Sequence, residues 1–147
     1  MTTTTTSDSP DPAAAEAIRA VLDAMPAARA LGFAIESLGT GAATLRLAVR
    51  PDHTQHTGHV QAGVLGALAD YAAGAAVATL LPTGWANVTL DYTIKIVAPA
   101  PGPQLSAQGT AVSAGRTISV GRADIFDEDG NLCATALSTF RNVRLVR

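Results

Sequence analysis

One carboxylate lies in the middle of an apolar stretch of small residues. At helical spacing, the neighbours of Asp70 carry no side-chain donor: they are Gly63, Gly66, Ala67, Ala73, Gly74 and Val77. A lone aspartate in a helix is usually solvated, but these flanks are too apolar for an exposed face. Because an unpaired buried carboxylate is costly, we interpret Asp70 as a functional group in a cleft.

Glycines precede this carboxylate at the point where a loop would enter the helix. Gly58 and Gly63 flank that point, and free backbone N–H groups at a helix start can bind an oxyanion. An ordinary glycine-containing loop would look similar. Together with a carboxylate two turns downstream, however, the pattern indicates acyl chemistry. An amide would polarise a carbonyl while the carboxylate activates water or attacks directly.

The elements that must position these groups follow from the hydrophobic periodicity. Residues 13–25 predict a short amphipathic helix ended by Pro26, and residues 33–50 alternate as a hairpin. The alanine-rich run 60–81 predicts a long helix without a charged face, which must therefore be surrounded by protein. Further strands follow in succession, with a hairpin turn at DEDGN.

This order of elements restricts the architecture. We predict an α+β domain in which an antiparallel sheet of five or six strands covers the long helix. The economical arrangement is a curved sheet wrapped around that helix, which is the hotdog fold.

Composition agrees with one domain. The chain has 147 residues; we assign residues 13–147 to the domain and residues 1–12, which lack the features of a secretory signal, to a disordered tail. With 48% hydrophobic and 15% charged residues, the chain is apolar enough to suggest further burial in an oligomer. A net charge of −2 gives no sign of the basic surface that binds nucleic acid. No stretch is long and apolar enough to span a membrane. The single cysteine, Cys133, favours a cytoplasmic setting and excludes a cysteine-based metal site; we expect no metal.

The motifs around Asp70 resemble those of PaaI-like acyl-CoA thioesterases of the hotdog superfamily. That family has Asn or Gln, Gly three residues later, then His-Gly-Gly, then an acidic residue in a Leu-Ala-Asp-like helix. Here the pattern reads Gln55, Gly58, Gln61-Ala62-Gly63 and Leu68-Ala69-Asp70. The resemblance continues through TLDYTIKIVAPAPG and SAGRTISVGRADIFDEDGNLCATALSTF, and covers roughly residues 31–143.

The resemblance implies a role for each matching residue. Asp70 corresponds to the catalytic general base or nucleophile, the Ala62 N–H to the oxyanion donor, and Gln55 to the amide that holds water or the thioester. Gly74 replaces a threonine of some relatives. The family builds each site across a dimer interface, so the resemblance implies a homodimer, often paired into a tetramer.

One position departs from the family pattern. Gln61 stands where histidine is usual, and glutamine can donate a hydrogen bond but cannot titrate. His56 and His59 lie nearby in sequence and could compensate, although each alone reads better as an ordinary loop histidine. A route through Asp70 needs no histidine.

The resemblance also implies a coenzyme A contact. Arg116 lies in a Gly-Arg-Thr element that the family places near the phosphate and pantetheine path, with Gly115 and Thr117 beside it. A solvent-exposed arginine at a strand end is an equally good interpretation. Arg141 and Arg144 are further candidates, for which the solvent-exposed interpretation is the better one.

The sequence therefore predicts an acyl- or aryl-CoA thioester hydrolase that needs no cofactor, because coenzyme A is part of the substrate. Two alternatives stay open. A hotdog dehydratase or hydratase would need a histidine facing Asp70 across the interface. A non-catalytic acyl-CoA-binding protein would bind without turnover.

Overall fold

The computed structural model describes residues 9–146. It contains the helices α1 (Pro12–Ala24), α2 (Pro26–Leu31) and α3 (Ala62–Ala78), and a short 3-10 turn at Pro51–His53. The strands are β1 (Phe33–Gly39), β2 (Ala42–Ala48), β3 (Trp85–Ile96), β4 (Gln104–Ala114), β5 (Ile118–Asp127) and β6 (Leu132–Arg144). Most of the predicted tail, residues 1–8, lies outside the described residues. Within them, no helix combines the length and apolarity needed to cross a membrane.

The sheet has six strands in the order β1-β2-β4-β5-β6-β3, and every neighbouring pair is antiparallel. It wraps around α3, nine of whose 17 residues are buried. This confirms the predicted α+β hotdog architecture with its single long helix enclosed by an antiparallel sheet.

Small residues let the sheet approach the helix closely. A Cβ on Gly109 of β4 would collide with the carbonyl oxygen of Ala72, and one on Gly121 of β5 would lie 2.9 Å from that of Ala73. On the other side, the Tyr92 hydroxyl would be 2.8 Å from a Cβ at position 66. Part of the small-residue stripe around Asp70 therefore serves close packing, and a cavity lies on the side of the helix that carries Gly74.

Strand β3 forms one edge of the sheet and is irregular at its centre. Its pairing with β6 shifts between Thr89 and Asp91, which leaves Leu90 without a partner. Because a bulge adds one residue, it reverses which side chains face the helix. Thr89 contacts α3 before the bulge, and Tyr92 contacts it after the bulge. The regular alternation of a strand is broken at this point, and Leu90 is 56% exposed.

Candidate active site

Asp70 lies in the middle of α3, partly buried, with its two oxygens in different surroundings. Oδ2 accepts a hydrogen bond of 2.8 Å from the Thr89 hydroxyl of β3. Oδ1 is buried and has no hydrogen-bond partner among the described residues. Burial raises the pKa of Asp70, while the hydroxyls of Thr89 and Ser138 lower it in part. A carboxylate with one oriented and one unpaired oxygen is suited to accept a proton or to attack an electrophile.

The Ser138 hydroxyl of β6 belongs to the same surroundings. It is fully buried and, like Asp70 Oδ1, has no hydrogen-bond partner among the described residues. It lies close enough to the Asp70 carboxylate to lower its pKa. Buried polar groups in native proteins are nearly always paired, so two unpaired atoms beside one another mark a site rather than ordinary core.

An apolar cavity of about 430 Å³ opens beside Asp70. Helix α1 covers one side with Ile18, Val21 and Met25, and α3 supplies Tyr71 and Gly74 on the other. Residues 81–87, Thr89, Phe140 and Leu145 close the rest. The cavity can hold an apolar group whose polar end meets the Asp70 carboxylate.

Tyr71 and Asn87 shape the walls of this cavity. The Tyr71 ring packs edge-on against Phe33, with ring centroids 5.4 Å apart. The Asn87 amide donates a 2.9 Å hydrogen bond to the carbonyl oxygen of Gly74. Tyr71 therefore lies in the wall of the cavity.

The start of α3 carries the predicted oxyanion donor. Gln61 is the N-cap, and its side-chain oxygen accepts a 2.7 Å hydrogen bond from Gly63 N–H. The Ala62 N–H donates to no other group among the described residues and is exposed. The Gly63 N–H is therefore occupied by the cap, whereas the Ala62 N–H is available to a ligand.

The loop before α3 is held together by hydrogen bonds between its own residues. Gln55 N–H donates to the carbonyl oxygen of His59 at 2.8 Å, and the Gln55 side-chain amide donates to the Thr57 hydroxyl at 3.1 Å. His59 Nδ1 also lies 3.2 Å from that hydroxyl, whereas His56 is exposed. Gln55, His59 and Ala62 line a second, open groove of about 630 Å³ together with residues 96–100.

The two halves of the predicted site are thus well separated in one chain. Ala62 and Asp70 are eight residues apart on α3, which corresponds to about 12 Å along the helix axis. The groove at Gln55 and the cavity at Asp70 have no lining residue in common. A single thioester carbonyl cannot contact both the Ala62 amide and the Asp70 carboxylate of one subunit.

Two other predicted features stand apart from Asp70. Arg116, Gly115 and Thr117 form the exposed turn between β4 and β5. Cys133 is fully buried in β6, and burial raises the pKa of its thiol, so it is poorly suited to act as a nucleophile. Within residues 9–146, no three His, Cys, Asp or Glu side chains are grouped as metal ligands.

Comparison with known proteins identifies the family. The family profile described as Thioesterase superfamily matches residues 57–134, which include Gln61, Ala62, Asp70 and Arg116 but not Gln55. The chain belongs to the thioesterase superfamily. This membership supports acyl-thioester hydrolysis in general. A search among curated proteins gave no match.

Solved structures agree with the thioesterase fold. A thioesterase family protein from Silicibacter pomeroyi is 26% identical, with a TM-score of 0.85 over 89% of this chain and 98% of that one. A mutant of the phenylacetic acid degradation protein PaaI from Thermus thermophilus is 29% identical, with a TM-score of 0.71 over 80% and 98%. E. coli PaaI, 22% identical, shares the fold with a TM-score of 0.81 over 90% and 96%. This thioesterase-superfamily chain is PaaI-like.

Sequence reasoning missed the residues of the sheet that surround Asp70 in this PaaI-like protein. Thr89, Asn87 and Ser138 lie 19, 17 and 68 positions after it, and reach α3 only because β3 and β6 pack over the helix. The polar residues Asn87 and Thr89 were the available signal, but Asp91, Thr93 and Lys95 continue the same alternation along the strand. The bulge that turns them inward has no clear mark in the sequence.

Proposed function

We propose that this protein hydrolyses acyl-CoA thioesters, with Asp70 as the catalytic carboxylate. The observation that carries the proposal is the partly buried Asp70 carboxylate, one oxygen of which has no partner among the described residues, in the wall of an apolar cavity of about 430 Å³. An acyl group fills the cavity while its carbonyl stays beside the carboxylate. The raised pKa of Asp70 supports the role, because a more basic carboxylate is a better proton acceptor near neutral pH.

The Ala62 N–H is the oxyanion donor in this proposal. Its amide has no other acceptor among the described residues and lies at the positive end of α3. Alanine keeps the N–H that the usual glycine would supply. Gln61 supports the helix start by capping Gly63, a structural role that needs no titratable ring. Gln55, exposed beside Ala62 in the same groove, holds the water or the thioester.

The active site is completed by a second copy of the chain. The 12 Å spacing between Ala62 and Asp70 favours a site in which each residue comes from a different subunit. Strand β3 is a sheet edge of 12 residues with exposed apolar side chains, among them Val88 at 49%, Leu90 at 56% and Tyr92 at 41%. Such an edge is an unprotected pairing surface, so we assign it to the homodimer. A dimer of such dimers is the larger assembly that the family resemblance suggests.

The reaction follows from this arrangement. Asp70 takes a proton from water as the water oxygen attacks the thioester carbonyl, and the resulting oxyanion is held by the Ala62 N–H of the other subunit. The carbon–sulfur bond then breaks, and the proton passes from Asp70 to the departing thiolate. Direct attack by Asp70, giving an anhydride that water cleaves, uses the same groups. Arg116, Gly115 and Thr117 contact the coenzyme A portion.

Thiol release from a panel of acyl-CoAs tests this function. We expect turnover by the wild-type protein and a loss of about 10²- to 10⁴-fold in kcat for Asp70→Asn, the range for removal of a general base. The variant must stay folded and assembled. Saturable binding without turnover on any thioester would favour the non-catalytic acyl-CoA-binding alternative. The dehydratase alternative has no support in one subunit, where the His59 ring contacts Thr57.

A further inference from the structure

We infer that Asn142 is a positioning residue for coenzyme A. It fixes the Arg116 turn beside Arg141, so that the two guanidinium groups form a clamp for the phosphates at the nucleotide end of the substrate. The inference rests on the proposed function for the identity of the ligand, but its observations concern a different part of the molecule from Asp70. Asn142 itself touches no substrate.

Three exposed arginines gather at one end of the sheet. Arg141 pairs in register with Ile118, two residues after Arg116, which places both arginines at the same end of the β5–β6 pair. Arg144 lies three residues further on β6, so its side chain leaves the opposite face of the strand, where its guanidinium is 5.5 Å from the centre of the Trp85 ring. None of the three forms an ion pair with another described residue. Unpaired arginines in a chain of net charge −2 favour an anionic ligand.

Asn142 holds the turn on both sides of Arg116. Its side-chain amide donates a 2.8 Å hydrogen bond to the carbonyl oxygen of Gly115, and its backbone N–H donates one of 2.8 Å to that of Thr117. Asn142 is only 5% exposed although the turn itself is exposed. The buried Asn142 side chain therefore fixes the backbone position from which the exposed Arg116 side chain extends.

A second buried residue fixes the orientation of the Asn142 amide. The Ser119 hydroxyl, fully buried, donates to Asn142 Oδ1 at 3.0 Å, which leaves the amide nitrogen facing Gly115. Gly115 N–H also donates to the carbonyl oxygen of Ile118 at 3.0 Å, and a Cβ at position 115 would lie 2.5 Å from that oxygen. The turn is thus tight, and only glycine fits at its first residue.

This network predicts an effect on binding rather than on chemistry. A phosphate recognised by two arginines needs them at a fixed separation, and ordering a loose turn upon binding weakens affinity. Loss of the Asn142 side chain frees the Arg116 turn but leaves Asp70, Ala62 and the apolar cavity unchanged. The effect must therefore appear with ligands that carry the nucleotide and be absent with those that lack it.

Calorimetric titration of the full-length protein with coenzyme A and with pantetheine tests the inference. We expect Asn142→Ala to weaken coenzyme A binding about tenfold, as lost hydrogen bonds of ordinary strength imply, and to leave pantetheine binding unchanged. Ser119→Ala, which keeps Asn142 but not its orientation, gives a smaller loss with the same selectivity if Asn142→Ala does not fold. Thr135→Val is the matched control, because it removes a 2.6 Å side-chain hydrogen bond between the same two strands, to Asp124, away from the turn.

A double variant separates positioning from general loosening. In an Arg116→Ala background, Asn142→Ala should cost nothing further. Equal losses for coenzyme A and pantetheine, additive losses in the double variant, or no coenzyme A binding by the wild-type protein would overturn the inference. The selective loss in a protein that hydrolyses no thioester would leave the clamp standing and refute the proposed function instead. Turnover of thioesters without the selective loss would refute the clamp and leave the proposed function standing.

Discussion

The Thr89 hydroxyl donates a 2.8 Å hydrogen bond to Oδ2 of Asp70, and so ties the edge strand β3 to the centre of α3. The bond fixes one carboxylate oxygen and turns the other, Oδ1, towards surroundings that offer it no partner among the described residues. Thr89 thereby fixes the orientation of the Asp70 carboxylate. Because β3 is also the exposed edge assigned to the dimer, this contact links assembly of the dimer to the geometry of the carboxylate.

Removal of this hydrogen bond should shift the pH dependence of activity. The Thr89 hydroxyl lowers the pKa of Asp70, so Thr89→Val raises it further. We expect the acid limb of the kcat/KM profile to move to higher pH, because the variant removes a hydrogen bond that stabilises the charged carboxylate. Thr89→Ser keeps the hydroxyl and should keep the wild-type limb. Coincident profiles for the Val and Ser variants would show that Thr89 does not act on Asp70.

Burial of Asp70 should also appear in the stability of the protein. Its pKa is raised in the folded state, so the folded protein binds this proton more tightly than the unfolded chain. The contribution to stability is therefore full below the ordinary pKa and is lost as the pH rises through the folded value. We expect Asp70→Asn to raise the melting temperature at pH 8 by more than at pH 4. A difference between variant and wild type that is constant over this range would contradict the burial of an ionised carboxylate.

The cavity beneath α1 should set the length of the acyl group. Ala78 lines its wall about 12 Å along α3 from Asp70, so Ala78→Leu fills the far end and leaves the carboxylate untouched. We expect turnover of long acyl-CoAs to fall about tenfold or more while short ones are unaffected, because the added methylenes take space that the chain needs. Ala27→Leu, an exposed position on α2 outside the cavity, is the control. Uniform losses across chain lengths would place the acyl group elsewhere.

The edge strand β3 should carry the dimer. Leu90→Arg places a charge on its bulge, where the side chain is 56% exposed, and we expect a lower mass by light scattering together with loss of turnover. Val112→Arg, 59% exposed on the interior strand β4, should leave the dimer intact. Retention of the wild-type mass by the Leu90 variant, or its loss in the Val112 variant alone, would place the interface on another surface.

Much of the fold was predictable because the spacing of hydrophobic residues indicates which face of a helix or strand is buried. The hairpin at residues 33–50 and the helix at residues 60–81 were predicted within a few residues of their bounds, and the later strands were predicted as a succession. Helix α2 was missed because Pro26 was read only as a stop. Proline is equally suited to the first turn of a helix, and here it also starts the six-residue segment Pro26–Leu31.

The surroundings of Asp70 were not predictable in the same way. Its position on a small-residue helix marked it as functional, but its neighbours Thr89 and Ser138 come from strands distant in sequence. The bulge at Leu90 reverses the alternation that periodicity assumes, and so brings Thr89 to the helix face. Tertiary packing alone decides such contacts.

The central claim is that two subunits share each active site, and mixed dimers test it most directly. Ala62→Pro deletes the proposed oxyanion N–H at the first helical position, where proline is well tolerated, and Asp70→Asn removes the carboxylate. Each variant alone should be inactive. In a mixed dimer, one site combines the intact Ala62 of one subunit with the intact Asp70 of the other. Random mixing of the two should therefore recover about a quarter of wild-type turnover. Mixed dimers that form yet stay inactive would contradict the account.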